Sequence, residues 1–313
     1  TSYMDMPNNN PPACTIDAIE QKYAIASQCS PANYSFYLGA SNENIGEILK
    51  LDPKTNCGVK LFMGSSTGNM LVDNEQALES IFRSAPTLIA THCEDETSIR
   101  EALARAKEKY GENIPIAEHP HIRTREACIK STAKAIEMAL KSGAQLHILH
   151  TSTADEVEMV LEARKKNPNI SFAVCVHYLW FCDEDYPKYG THIKCNPAIK
   201  RRSDMEALRS AVAQGLPGAV ATDHAPHLLT EKDGSYTQAP SGLPTIQHSL
   251  RMMLQLSKQG VFPIGMVPQM MSHAPAETFR IAERGYIREG YSADLVLVEE
   301  SKSRNATPAY KCG

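Results

Sequence analysis

An α/β fold, with parallel strands curling into a barrel of the (β/α)8 kind, is predicted on three observations. Short apolar runs alternate with longer amphipathic stretches along most of the chain, the signature of βα units around a parallel sheet. Several apolar runs end in polar or turn-rich residues, as expected at the active face of such a barrel. The length, 313 residues, suits one barrel domain with a large core.

Taken in order, strands are expected at 1–5, 34–39, 57–63, 87–92, 145–150, 170–176 and 218–223. Amphipathic helices are expected at 15–28, 74–84, 97–109, 125–142, 154–166 and 204–214. In the fourth of these, Ala133, Ile136, Ala139 and Leu140 give the apolar stripe that a helical period requires. Further helices near 243–258, 261–271 and 274–282 complete the wall, with Pro244 in a first turn, where its missing N–H costs least. Seven strands are legible, one short of a closed eight-stranded barrel. From about residue 285 the composition turns β-rich. The division expected is therefore a barrel over 1–284 and a partial small β domain and tail over 285–313, with Ser301–Ala309 a loose end.

Composition excludes several classes. Net charge is −4 with both signs interspersed, so no basic patch argues for nucleic acid. No apolar run reaches the length of a membrane span, and no signal peptide opens the chain. Nine scattered cysteines, odd in number and without a C-x-x-C pair, suit free thiols in a reducing cytosol rather than disulfides or a cysteine-held structural zinc.

Polar groups recur where a barrel would place a site. Asp223 follows the apolar run Gly218-Ala219-Val220-Ala221 and precedes His224 and His227; an aspartate there is where a metal-assisted hydrolase places a ligand and proton shuttle. An N-cap role for Asp223 is weakened by Pro226 and His227 close behind. Lys60 lies inside Gly58–Met63, while His92 and His150 end two apolar runs. Each has a plainer reading, as an ion-paired lysine or a hydrogen-bonded structural histidine. His147, three residues before His150, should point to the opposite face of its strand and is read as structural. The Gly64–Asn69 loop is either a lid closing over substrate through Ser66 and Thr67 or a flexible connection. It lacks a P-loop lysine. His119, His121, His192, His248 and His273 are read as structural or exposed.

In order along the chain stand Met6-Pro7-Asn8-Asn9-Asn10-Pro11-Pro12, Lys60-Leu61-Phe62, His92-Cys93-Glu94, His147 to His150, and Asp223-His224-Ala225-Pro226-His227. This set resembles the metal-dependent amidohydrolase superfamily and, within it, the dihydroorotases of pyrimidine biosynthesis. The segment Gly285–Gly290 through Ala293–Val298 resembles the family's return strand. The resemblance implies a TIM-type barrel that lacks its first strand here, with the remnant of a small β domain at the C-terminus. It implies two zinc ions bridged by a carboxylated Lys60, with His92 and His150 on the second ion and Asp223 on the first. Asp223 would move the proton, and Asn8, Asn196 and His227 would bind substrate. Asn8 equally suits a turn residue in its Pro- and Asn-rich segment. His177, Tyr178 and Trp180 resemble the family's paired-aromatic region beneath the site.

The implied reaction is reversible cyclisation of N-carbamoyl-L-aspartate to L-dihydroorotate, by a cytoplasmic protein acting on a small molecule, with a homodimer among the assemblies allowed. The family's H-x-H-x-R, which supplies two ligands and a carboxylate-gripping arginine, is absent near the start. His119-Pro120-His121 falls in an expected loop instead. The expectation is that a longer protein supplies that strand. Two alternatives stay open: another cyclic amidohydrolase of hydantoinase or allantoinase type, or a non-catalytic scaffold.

Overall fold

The computed structural model describes residues 1–64 and 70–299. Its centre is a curled, wholly parallel seven-stranded sheet in chain order: β1 (Ser2–Asp5), β2 (Asn33–Gly39), β3 (Gly58–Phe62), β4 (Ile89–His92), β5 (Leu146–Ile148), β6 (Ile170–Cys175) and β7 (Ala219–Ala221). Helices fill the crossovers, the longest being Ile16–Cys29, Glu75–Ser84, Glu96–Tyr110, Arg125–Ser142, Ala154–Arg164 and Arg202–Ala213. Thr15, Asn74, Asp95, Thr124 and Thr153 each accept a backbone N–H as side-chain N-caps, each worth about 1 kcal/mol. Gly143, at φ 76°, closes the helix over 125–142 in a conformation glycine takes without a Cβ penalty.

Strand register explains why these runs are so apolar. Leu38, Val59, Ile89, Leu146 and Ile170 pair laterally in one row, and all five are fully buried in the core beneath the helices. The alternate row, facing the sheet's concave side, reads Gly39, Lys60, Ala90, His147 and Ser171. Two residues further along, Phe62 pairs with His92. The sequence alternates because a strand in a barrel has one face on the helices and one on the lumen.

His147 therefore faces the same lumen as Lys60, not the side away from the site. The expectation that it and His150 point oppositely assumed that the strand continues. It stops at Ile148, and His150 adopts φ 38°. His147 packs its ring against Phe279 and holds Nδ1 2.7 Å from Ser171 Oγ.

Three buried imidazoles, His119, His147 and His177, are each pushed down by burial to about 3. Their unfolded values lie near 6.5, so between about 6.5 and 3 the unfolded chain binds more protons. Their contribution is whole above the unfolded value and is lost as pH falls through the folded one. The thermal midpoint should fall steadily from pH 7 to pH 4, and His147→Phe should make that fall shallower. Ser171 would keep its bond to the Leu146 carbonyl. An unchanged slope in the variant would remove His147 from this account.

Two expectations of helix boundaries need correction. Pro244 precedes the helix Ile246–Lys258 and its N-cap Thr245 rather than sitting in the first turn. The stretch 261–271 is not one helix but a short turn, Met266–Pro268, running into a π-helical turn, Gln269–His273. Pro268 and Pro275 both lack the N–H that regular helix needs. Residues 285–299 contain no strand. Leu295, Val296, Leu297 and Val298 are exposed without a neighbouring strand among the described residues, and a lone strand is not stable. That segment is tied down by Asp294, which accepts from Asn33 Nδ2 at 2.9 Å and pairs with Arg284 at 2.6 Å. No helix among the described residues is long and apolar enough to cross a membrane.

Candidate active site

Six of the seven residues singled out, Asn8, Lys60, His92, His150, Asn196 and Asp223, are among those lining one open cavity that runs along the concave face of the sheet. The seventh, His227, does not line it; His224, Ala225 and Pro226 do. His227 instead donates from Nε2 to the Ser241 carbonyl at 3.3 Å. The Ser66 and Thr67 lid lies outside the described residues.

Lys60 is buried on the lumen row of β3 with its ammonium 3.9 Å from the centre of the Phe62 ring. Among the described residues no carboxylate pairs with it directly, and Asp223 acts on it from farther off. Burial pushes its amine down to about 7, against the opposing pull of Asp223. At neutral pH roughly half of such a group is uncharged, against roughly one part in a thousand for an exposed lysine.

His92 and His150 come together from successive strand ends, His92 Nδ1 lying 2.9 Å from His150 Nε2. Burial lowers both pKa values, leaving the pair neutral. By strand alternation His150 would turn toward the helices; its left-handed backbone brings the ring back over the lumen. Asp223 is likewise left-handed, at φ 47°. Such positions cost of order 1–3 kcal/mol and concentrate at functional sites. The Asp223 carboxyl is open to the cavity yet ringed by protein. That enclosure raises it to about 6, with Lys60 pulling down and Glu94 adding to the rise.

Behind His92 stands Glu94, which is fully buried and was read only as part of a motif. Its Oε2 is 3.1 Å from His92 Nε2, and Arg123 donates to the same oxygen. Burial alone would raise Glu94, but Arg123 and His92 outweigh it and hold it down at about 2. Gly64 lies so close that a Cβ there would sit 1.8 Å from the Glu94 carbonyl oxygen, so only glycine lets the chain leave β3 by this route. Nothing in the sequence near Arg123 signalled this contact. Lys22 was also missed. From the helix over 16–29 it pairs with Asp5 and donates to the Met6 carbonyl and Asn9 Oδ1, fastening the loop that presents Asn8.

The donor types suit a divalent metal, though of the four candidate ligands among the described residues only the two histidines are in contact. Two neutral imidazole nitrogens face each other at 2.9 Å, backed by a carboxylate that orients one ring. Among the described residues the buried Glu94 Oε1 has no hydrogen-bond partner. Asp223 stands apart from the histidine pair: among the described residues the one group of three His, Cys, Asp or Glu side chains with ligand atoms within 4.8 Å of one another is Cys182, Asp183 and Glu184. Glu184 there is engaged by Arg202. Among the described residues the buried Asn196 Oδ1 has no hydrogen-bond partner, and Asn196 is one of the residues lining the cavity.

Comparison with known proteins follows the same line. The profile described as amidohydrolase family matches residues 1–311. The chain is 30% identical over 306 residues to a dihydroorotase of Halobacterium salinarum, covering 97% of this chain and 69% of the relative. It is 28% identical over 304 residues to an allantoinase of Bacillus velezensis, covering 95% and 66%. In structure it is similar to an L-hydantoinase (dihydropyrimidinase) from Arthrobacter aurescens, with a TM-score of 0.88 at 24% identity over 94% of this chain and 66% of the other. A dihydroorotase of Saccharomyces cerevisiae in complex with 5-fluoroorotic acid gives 0.71 at 18% identity, covering 90% and 77%. These structural likenesses speak to the fold. The chain spans about two thirds of the length of the sequence relatives named.

Proposed function

Because this chain belongs to the amidohydrolase family, we propose that it opens and closes a cyclic amide, interconverting L-dihydroorotate and N-carbamoyl-L-aspartate. The observation carrying this reading is Lys60, buried without a direct ion pair among the described residues on the lumen wall that also carries the neutral His92–His150 pair and Asp223. The choice of substrate rests on relatives named dihydroorotase.

Lys60, His92, His150 and Asp223 would hold zinc, two ions in a complete site. Bound zinc would supply an activated water and a polarised carbonyl. Lys60, as a free amine, adds to carbon dioxide: its nitrogen forms the new C–N bond and releases one proton, giving an anionic N-carboxylate. An ammonium there would repel a cation. In ring opening Asp223 accepts the proton of the attacking water and delivers it to the ring nitrogen as the C–N bond breaks, so the carboxylate is regenerated. A carboxyl poised near 6 suits both transfers. Asn196 Oδ1 accepts from a substrate N–H, Asn8 sits across the cavity as a second polar contact, and His227 belongs to the loop that closes the site.

Relatives named allantoinase favour a second reading, hydrolysis of a five-membered ring. The two separate in one assay of the metal-loaded protein on dihydroorotate, hydantoin and allantoin. Turnover of dihydroorotate at least tenfold faster than the others is expected. Turnover of hydantoin or allantoin alone would replace the leading reading. No turnover, with less than one zinc per chain by elemental analysis, would favour a non-catalytic scaffold. Residues 285–313 are read as part of a small β domain, supported by the exposed apolar run Leu295–Val298. The eight described cysteines are free thiols, which supports a reducing compartment.

A further inference from the structure

Two lysines that nothing in the reaction uses are buried beside the cavity. Lys232 and Lys194 are 4% and 8% exposed, and neither forms an ion pair among the described residues. A buried ammonium is costly unless its hydrogen bonds are met. Here every acceptor is a backbone carbonyl. Lys232 Nζ donates to Lys194 O at 3.0 Å, Pro240 O at 2.8 Å and Gly242 O at 3.0 Å. Lys194 Nζ donates to Tyr236 O and Ala239 O, each at 2.6 Å.

The carbonyls belong to two loops. One, over 191–200, presents Asn196. The other, over 236–243, passes under the segment 222–227: Ala225 N donates to Leu243 O at 3.1 Å, and His227 bonds to Ser241 O. Lys232 holds the carbonyls on either side of Ser241. Gly242 N donates to Lys194 O at 2.9 Å, so the Lys194 carbonyl takes both Gly242 N–H and the Lys232 ammonium. A parallel tie runs through His119, which accepts from the Tyr236 hydroxyl at 3.0 Å and donates to Cys195 O at 2.8 Å. Only an ammonium offers three donors from one atom; no neutral side chain can bind three convergent carbonyls in its place.

We propose that Lys232, with Lys194, is a positioning residue for substrate: it staples the Asn196 loop to the loop that supports His227, setting their separation across the cavity mouth. The inference rests on the reading of Asn196 as a substrate contact and of the 222–227 segment, which carries Asp223, as a wall of the same site. It touches neither the histidine pair nor Lys60, so metal binding is left alone.

The test uses the metal-loaded full chain and its variants K232M and K232R, measuring kcat, KM for dihydroorotate, zinc content and thermal midpoint. Expected for K232M is a KM raised at least tenfold with kcat within threefold of wild type and zinc unchanged, and for K232R, which keeps the charge but cannot aim three donors from one atom, a KM rise smaller than that of K232M. A lysine that served the fold alone would lower the midpoint and leave KM in place. Unchanged KM, or loss of zinc and kcat together, overturns the proposal. Should K232M fail to fold, K194M decides by the same criterion. A wild-type protein that opens none of the three cyclic amides defeats the proposed function; an active wild type with variants of unchanged KM defeats this inference alone.

Discussion

Asp223→Asn should lower kcat by about 10³-fold, within the 10²–10⁴ range that a positioned acid–base group supplies, while leaving the thermal midpoint nearly where it was. The substitution is close to isosteric, and asparagine, like aspartate, tolerates the left-handed backbone at φ 47° better than most residues. Asp223→Ala would confuse the result by adding strain at that position. What Asn cannot do is accept a proton from water and return it to the ring nitrogen. With the metal-free carboxyl raised to about 6 by burial and a bound cation holding it lower, the wild-type rate of ring opening should fall only as pH drops below that value, where the required base becomes protonated. Retention of more than a tenth of the wild-type kcat, with zinc content unchanged, would falsify the proton-transfer role.

Lys60→Met should cost zinc and activity together, leaving less than half the wild-type metal and a kcat/KM lower by about 10³-fold or more, the loss expected when metal-supplied charge stabilisation goes. The reason is the N-carboxylate, which methionine cannot form. Wild-type protein given ¹³C-bicarbonate should show a carbamate carbonyl resonance that the variant lacks. Metal-free protein should show the opposite effect on stability. Lys60 falls from 10.5 to about 7 in the fold because of burial. Below about 7 both states are protonated and the folded one bears the full cost of a buried ammonium. Between about 7 and 10.5 the unfolded chain binds more protons, so stability rises with pH and the cost has gone by 10.5. Lys60→Met should thus stabilise the metal-free protein by on the order of a few kcal/mol at pH 7, a gain that fades toward pH 10.5. A variant that kept its zinc, or gained no stability at pH 7, would point to an ordinary structural lysine.

The inner strands were legible because each is a short, largely apolar run, and the outer row from Leu38 to Ile170 is fully buried, whereas β1, Ser2-Tyr3-Met4-Asp5, is half-exposed at the edge. The helix at 261–271 was misread because apolar spacing continues across Pro268 while the hydrogen-bond ladder does not. The exposed run Leu295–Val298 reads as a strand for the same kind of reason. Composition reports what could pair, not whether a partner is there.

At the site, Lys60, His92, His150 and Asp223 stood out by residue type and place on or after apolar runs, Asn8 and Asn196 only through the family resemblance, and the structure sets all six around one cavity. Glu94 was visible only as one letter of a motif, and its partner Arg123 lies 29 residues away. Lys194 and Lys232, 38 residues apart, look in sequence like any surface lysines.

The sequence by itself determined the order of strands and helices and the kinds of side chain at the strand ends, because burial periodicity and turn chemistry are written in neighbouring residues. Only the tertiary structure decided that His150 turns back to meet His92, that His147 shares the lumen with Lys60, that His227 bonds to Ser241 instead of lining the cavity, and that two buried ammonium groups hold the loops together. Those outcomes depend on the sign of a backbone angle, on register between strands, and on carbonyls supplied from distant segments. None of these exists until the chain has closed on itself.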